Sequence, residues 1–200
     1  MLMPSPQRFQ VRASDANDIE WAAQLAKRVY DDQDAIPAEV LLAWFNVNPT
    51  GFSTMWCDGE RVGNFHILPL KLKAMALFVE GQILERNFPA DSLYAAEESQ
   101  SIRDLYWESA VLDPSLRGEL RGKMLVTLTA DFSNVFGRVC DLRQIDNMYA
   151  IAASSRGAEH LLLLGMSPLG NPELRMDKHQ LYHGTLRSFR EAIAILLASK

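Results

Sequence analysis

Cysteine is nearly absent: Cys57 and Cys140 are the only two, far apart and outside any CxxC or Cys/His cluster. That usage excludes a disulfide framework and a zinc site, and both thiols are expected to be buried. Long apolar runs are missing as well. Stretches such as Leu161 to Leu164 fall far short of the roughly 18 residues a membrane span needs, and the opening MLMPSPQRF carries no apolar signal core. A cytoplasmic protein without membrane contact is expected. Basic residues are outnumbered, 20 Lys and Arg against 25 Asp and Glu, which excludes wide nucleic-acid contact because phosphate neutralisation requires basic surface in excess. Glycine and proline are too few for a collagenous or low-complexity chain. What is present is a 48% apolar chain of 200 residues, enough to bury one core, and it reads as a single domain over residues 1–200.

Periodicity assigns the elements. Phe9 to Arg12 reads as an edge strand. Ser14 or Asp15 then caps a helix whose apolar positions run from Ile19 to Val29 at helical spacing. Pro37 opens a second helix containing Leu41 and Trp44, closed by Asn48 to Gly51. Phe52–Cys57 and Val62–Leu70 form an antiparallel hairpin across Asp58-Gly59, a pair that supplies the positive φ of a tight turn. Leu72 to Phe88 begins with helical spacing and ends as strand or loop, and the stretch to Glu98 reads as a lid or partner surface. Leu105–Leu112 is a strand apolar apart from Glu108 and Ser109, and Leu120, Met124, Leu128, Phe132 and Phe136 recur every four residues in one helix. Met148–Ala153 is a further strand, Ser154-Ser155 starts a helix that Gly165 ends, and this β-α-β-α order implies two parallel strands. Leu174–Met176 and Gln180–Leu186 are strand-like, and Arg187 or Ser188 begins a last amphipathic helix.

Between strand and helix lies LDPSLRGELRGKML, Leu112 to Leu125, with three cations and two glycines. A glycine turn feeding a helix N-terminus offers unpaired N–H groups and the positive dipole end to an anion. It is not a Walker loop, since Gly118 and Gly122 are separated by three residues and Met124 follows Lys123, and no GxGxxG occurs. Gly118 and Gly122 would let backbone approach a diphosphate while Arg117, Arg121 and Lys123 raise the potential. The plainer reading of these cations is a solvated first helical turn.

Leu112-Asp113-Pro114 followed by Arg117-Gly118-Glu119-Leu120-Arg121-Gly122 resembles the pyrophosphate loop of the GNAT superfamily of acyl-CoA-dependent N-acyltransferases, [Gln/Arg]-x-x-Gly-x-[Gly/Ala]. Leu120 stands where that pattern has its first glycine. Met148 to Ser154 and Ala158 to Met166 are similar to the family's fifth strand and following helix, and the resemblance covers most of residues 9 to 186. It implies an α/β (α+β mixed) sheet with splayed central parallel strands, flanking helices and an N-terminal antiparallel hairpin. It implies acetyl-CoA or another acyl-CoA as cofactor, no metal, and transfer of an acetyl or short acyl group to a small-molecule or protein amine. A homodimer is left open. Ala110, Val111 and Leu112 would meet the pantetheine, and Arg117, Gly118, Glu119, Leu120, Arg121, Gly122 and Lys123 the diphosphate.

Acyl transfer to an amine needs a neutral nitrogen, a polarised carbonyl and a proton for the thiolate. Glu108 is the ionisable side chain within its apolar strand and is the candidate base; Tyr106 shares its face and is the second catalytic candidate. A structural ion pair is the competing reading of Glu108. The family's thiolate-protonating tyrosine position is occupied by Leu161. His160, Ser154, Ser155 and Tyr149 are weaker candidates, with helix capping the competing role of the serines. His179 and His183 lack a metal-ligand setting, and Trp21, Trp44, Trp56 and Trp107 read as core ahead of a substrate pocket. With Leu120 and Leu161 in place of glycine and acid, the alternative is a non-catalytic CoA-binding or interaction module, and a CoA-independent domain is the third.

Overall fold

The computed structural model describes residues 8–30, 34–116 and 118–198, so the role expected of Arg117 lies outside the described residues. Strand β1 (Phe9–Ala13) leads into helix α1 (Ala16–Val29). Asp15 caps it, accepting from the Asp18 amide at 2.9 Å while the Asp18 carboxylate accepts from the Asp15 amide at 3.1 Å. Helix α2 (Ala38–Val47) follows Pro37, and β2 (Phe52–Cys57) and β3 (Glu60–Leu68) make the hairpin. Asp58 and Gly59 adopt φ of 50° and 89°, the left-handed pair that a two-residue turn of this hand requires.

Helix α3 (Leu72–Val79) and several 3₁₀ turns occupy the stretch to Ser101. This stretch is core: Met75, Phe78, Phe88 and Leu93 are buried, and Trp44 donates its indole N–H to the Phe88 carbonyl at 3.0 Å. Strand β4 (Asp104–Leu112) precedes α4 (Gly118–Ala130) and α5 (Phe132–Gly137). The single helix expected from four-residue spacing is therefore two, broken at Asp131, although Met124, Leu128, Phe132 and Phe136 are all buried as the spacing requires.

Helices α4 and α5 make the crossover to β5 (Asn147–Ala152), and α6 (Ser155–Leu163) follows that strand, with Gly165 at φ 78° after the helix. Then come β6 (Ser167–Leu169), β7 (Gln180–Thr185) and α7 (Leu186–Ala198). The expected strand at Leu174–Met176 is overturned. Pro172–Leu174 is a 3₁₀ turn, and the apolar neighbours Leu174 and Met176 point outward while Arg175 is only 4% exposed. Arg175 turns inward because Asp177 receives its guanidinium at 3.0 and 2.7 Å and the Phe78 carbonyl accepts at 2.9 Å.

The strands form one mixed sheet in the order β1-β2-β3-β4-β5-β7-β6, antiparallel except for the β4–β5 pair. Two apolar layers cover its faces. Phe65, Trp107, Phe136, Leu161 and Phe189 pack on the side of α4 to α7, and Trp44, Phe52, Phe78, Phe88 and Tyr106 on the side of α1 to α3. Cys57 and Cys140 are both buried and free. Among the described residues no helix is long and apolar enough to cross a membrane.

Candidate active site

The two parallel strands pair only from Asp104↔Asn147 to Trp107↔Ala150. Beyond that point β4 keeps β3 on one side, with Ala110, Val111 and Leu112 opposite Phe65, Asn64 and Gly63, while β5 continues beside β7. The β5-facing edge of β4 is therefore left open over its last residues, and backbone groups on such an edge need a partner.

At the point of separation β4 bulges. His66 pairs with Ser109 and Ile67 with Trp107, which leaves Glu108 as the extra residue. The bulge inverts the alternation: Leu105 and Trp107 face the α4–α7 layer before it, and Ala110 and Leu112 face that layer after it. Glu108 turns to the opposite side, where its carboxylate lies 2.9 Å from Nδ1 of His66. It lines a cleft of about 900 Å³ together with Ser109, Tyr30, Asp34, Glu85 and His179.

Carboxyl groups crowd this cleft. Burial, then the charge of Glu108, pushes the Glu85 carboxyl well above its ordinary range, against the opposing effect of the hydrogen bond that Tyr106 donates to it. Tyr106 is fully buried between Phe78 and Phe88, and burial followed by the Glu85 charge raises its phenol. Burial first and the nearby carboxylates second raise the Tyr30 phenol as well. Asp34 pairs with His179 at 3.1 Å. Both phenols stay protonated through neutrality, and Tyr106 donates its hydrogen bond to Glu85.

At the other end of the open edge stands the start of α4. Gly118, Glu119 and Leu120 lie in its first turn, where amides have no acceptor within the helix. A Cβ added at Gly118 or Gly122 would meet nothing within 4 Å, and neither glycine has a positive φ. Packing therefore requires glycine at neither position, although glycine in a helix is unfavourable by roughly 1 kcal/mol relative to alanine. The open strand edge and the start of α4 leave backbone groups accessible, a geometry that suits an anion.

No protein-family model matches the sequence, and no curated protein matches it. Solved structures do. The GphF GNAT-like decarboxylase in complex with isobutyryl-CoA superposes with a TM-score of 0.61 at 16% identity, over 89% of this chain and 100% of that one. The loading GNATL domain of CurA from Lyngbya majuscula gives 0.65 at 9% identity, over 90% and 98%. FeeM, an N-acyl amino acid synthase from uncultured soil microbes, gives 0.58 at 12% identity, over 94% and 96%. The chain has the GNAT fold.

Within the GNAT fold the remaining candidates take definite places. Arg121 bends back, one guanidinium nitrogen 3.3 and 3.4 Å from the carbonyls of Leu112 and Asp113, and so ties α4 to the end of β4. Lys123 pairs with Glu119 at 2.8 Å on the exposed face of α4. Leu161 is buried in the core. Ser154 is the N-cap of α6, accepting from the Gly157 amide at 3.1 Å. Tyr149 stacks near His183, whose Nε2 lies 2.9 Å from Asn147 Oδ1, and burial lowers the basicity of His160. Trp44 and Trp107 are core, and Trp56 carries the guanidinium groups of Arg12 and Arg61 at 4.9 and 5.3 Å. No metal-binding group occurs among the described residues. Sequence reasoning missed His66 and Glu85, which reach the site from 42 and 21 residues away from their partners; the one available signal was a histidine inside the apolar run of β3.

Proposed function

We propose that this protein is an acyl-CoA-dependent N-acyltransferase that moves an acetyl or other short acyl group to an amine acceptor by direct attack in a ternary complex. The observation that carries the reading is the separation of β4 from β5 immediately after Trp107 and Ala150, with Glu108 on one side of the opening and the α4 start on the other. The open backbone of Ala110, Val111 and Leu112 would bond the pantetheine amides, and the first amides of α4, with Gly118 and Gly122 leaving room, would take the diphosphate. Arg121 would act by fixing that helix to the strand, and Lys123 and Glu119 as a solvated pair beside it.

The acceptor would lie in the cleft beside Glu108. Its ammonium gives a proton to the Glu108 carboxylate, directly or through one water, and the freed nitrogen attacks the thioester carbonyl carbon. The C–S bond breaks, the thiolate leaves, and the amide nitrogen loses its remaining extra proton to solvent. Alignment of the two partners supplies on the order of 7–11 kcal/mol of such a barrier, so the core residue Leu161 at the family's acid position is compatible with turnover. Asp34, Asp177 and Glu108 share this cleft with Arg86 and Lys178, and the amine of the acceptor would dock beside Glu108. Tyr106 would serve through Glu85, which it orients.

GphF is described as a decarboxylase and FeeM as an N-acyl amino acid synthase, so proteins of this fold use acyl chemistry in more than one way. Calorimetry with acetyl-CoA and CoA, followed by an amine panel monitored for free thiol, tests the proposal. Absence of binding at millimolar ligand would discard it. The burial of Leu161 favours one second reading, a non-catalytic CoA-binding module; steady CoA binding without thiol release from any amine would select it.

A further inference from the structure

The histidine inside β3 has no role in the proposed transfer, yet its ring is a hydrogen-bonding partner of the candidate base. His66 is 1% exposed and Glu108 8% by side chain, and Nδ1 lies 2.9 Å from the Glu108 carboxylate. The rest of the ring is enclosed: Phe52 packs on it at 4.7 Å between centroids, and Nε2 is buried without a hydrogen-bond partner. A proton on Nε2 would be an orphaned donor costing on the order of 1–3 kcal/mol, whereas a proton on Nδ1 meets an acceptor. The surroundings therefore select the tautomer.

We infer that His66 is a positioning residue for Glu108, donating its Nδ1–H to one carboxylate oxygen so that the other is held toward the cleft. This deepens the transferase reading and rests on it only for the use made of Glu108. The need arises from the bulge. As the extra residue of β4, Glu108 lacks the cross-strand neighbour that would otherwise confine its side chain, and His66, on the adjoining strand and paired with Ser109, takes over that task. Other polar groups reach the cleft from different elements. Tyr30 and Asp34 come from the segment after α1, Glu85 and Arg86 from the turn after α3, and Asp177, Lys178 and His179 from the approach to β7. Of these, Asp177 is engaged by Arg175 and Asp34 by His179, and Tyr106 gives its hydroxyl to Glu85.

Two measurements decide the matter. In ¹⁵N-histidine-labelled wild type, ring spectra should show His66 carrying its proton on Nδ1 in a strongly hydrogen-bonded position, a signal displaced in Glu108→Ala; a proton on Nε2 would overturn the assignment. For kinetics, His66→Asn keeps a donor at the Nδ1 position and His66→Leu removes it. Leucine should lower kcat by about tenfold or more with KM for acetyl-CoA unchanged, while asparagine restores most of it. Equal losses in both variants, or none in either, would reduce His66 to packing. Should wild type transfer no acyl group at all, the transferase reading fails by itself, and the spectra still decide where His66 holds its proton.

Discussion

Trp107 and Ala150 are the last residues that β4 and β5 hold in register, and the next residue on β4, Glu108, is unpaired toward β3 as well. One position thus ends the parallel ladder and interrupts the antiparallel one. A side chain that would otherwise sit against a neighbouring strand is free to face an opening, which is how a mostly apolar strand comes to present a carboxylate to a cleft.

Glu108→Gln keeps the shape of that side chain and removes its ability to take a proton. Acyl transfer should fall by about 10²–10⁴-fold, while calorimetric affinity for CoA stays unchanged because the proposed cofactor edge lies beyond the bulge. A loss of CoA binding of similar size would move Glu108 from chemistry to architecture.

Gly122→Leu should have two effects of opposite sign. The new side chain enters open space on a helix, so thermal or denaturant unfolding should show a gain of roughly 0.5–1 kcal/mol. The same side chain occupies the place a diphosphate would need, so CoA affinity should drop. Unchanged affinity would remove the α4 start from the cofactor site.

Glu85→Gln tests the electrostatics of the cleft. The folded-state pKa of Glu85 lies above the ordinary 4.5, so the native state binds this proton more tightly than the unfolded chain does. The stability it contributes is present below 4.5 and is lost as pH rises through the folded value. The glutamine variant, uncharged throughout and still able to accept from Tyr106, should lose less melting temperature between pH 4.5 and neutrality than wild type. Parallel pH profiles would contradict the raised carboxyl.

Arg175→Met leaves the Asp177 carboxylate without its guanidinium partner and holding only the His179 amide, at 2.9 Å. Removing one partner of a buried pair is strongly destabilising, here roughly 3–5 kcal/mol, or on the order of 10 °C in Tm for a chain of this size. Calorimetric unfolding checks it. A loss within a degree or two would mean that Asp177 finds another donor.

Much of this architecture was legible because its causes are local. Asp58-Gly59 announces its turn by the φ values such residues tolerate, Asp15 and Asp18 cap within one turn of helix, and the apolar run of β4 followed by four-residue spacing gives strand then helix. What was not legible depends on distant partners. Arg175 reads as a polar interruption of a strand until Phe78 and Asp177 supply the reasons to bury it. The bulge at Glu108 is a mismatch between two strands and exists in neither alone. Glu108 itself was legible as an anomaly, a charge in an apolar run, but the identity of its partner was not, since His66 is separated from it by the whole α3 region.

The central ladder also sets how the molecule can be divided. The residue pairs from Asp104↔Asn147 to Trp107↔Ala150 are the backbone seam between a hairpin half, β1 to β4, and a C-terminal half, β5 to β7. A molecule lying along the open stretch beyond Trp107 and Ala150 would bridge the two halves where the backbone itself does not.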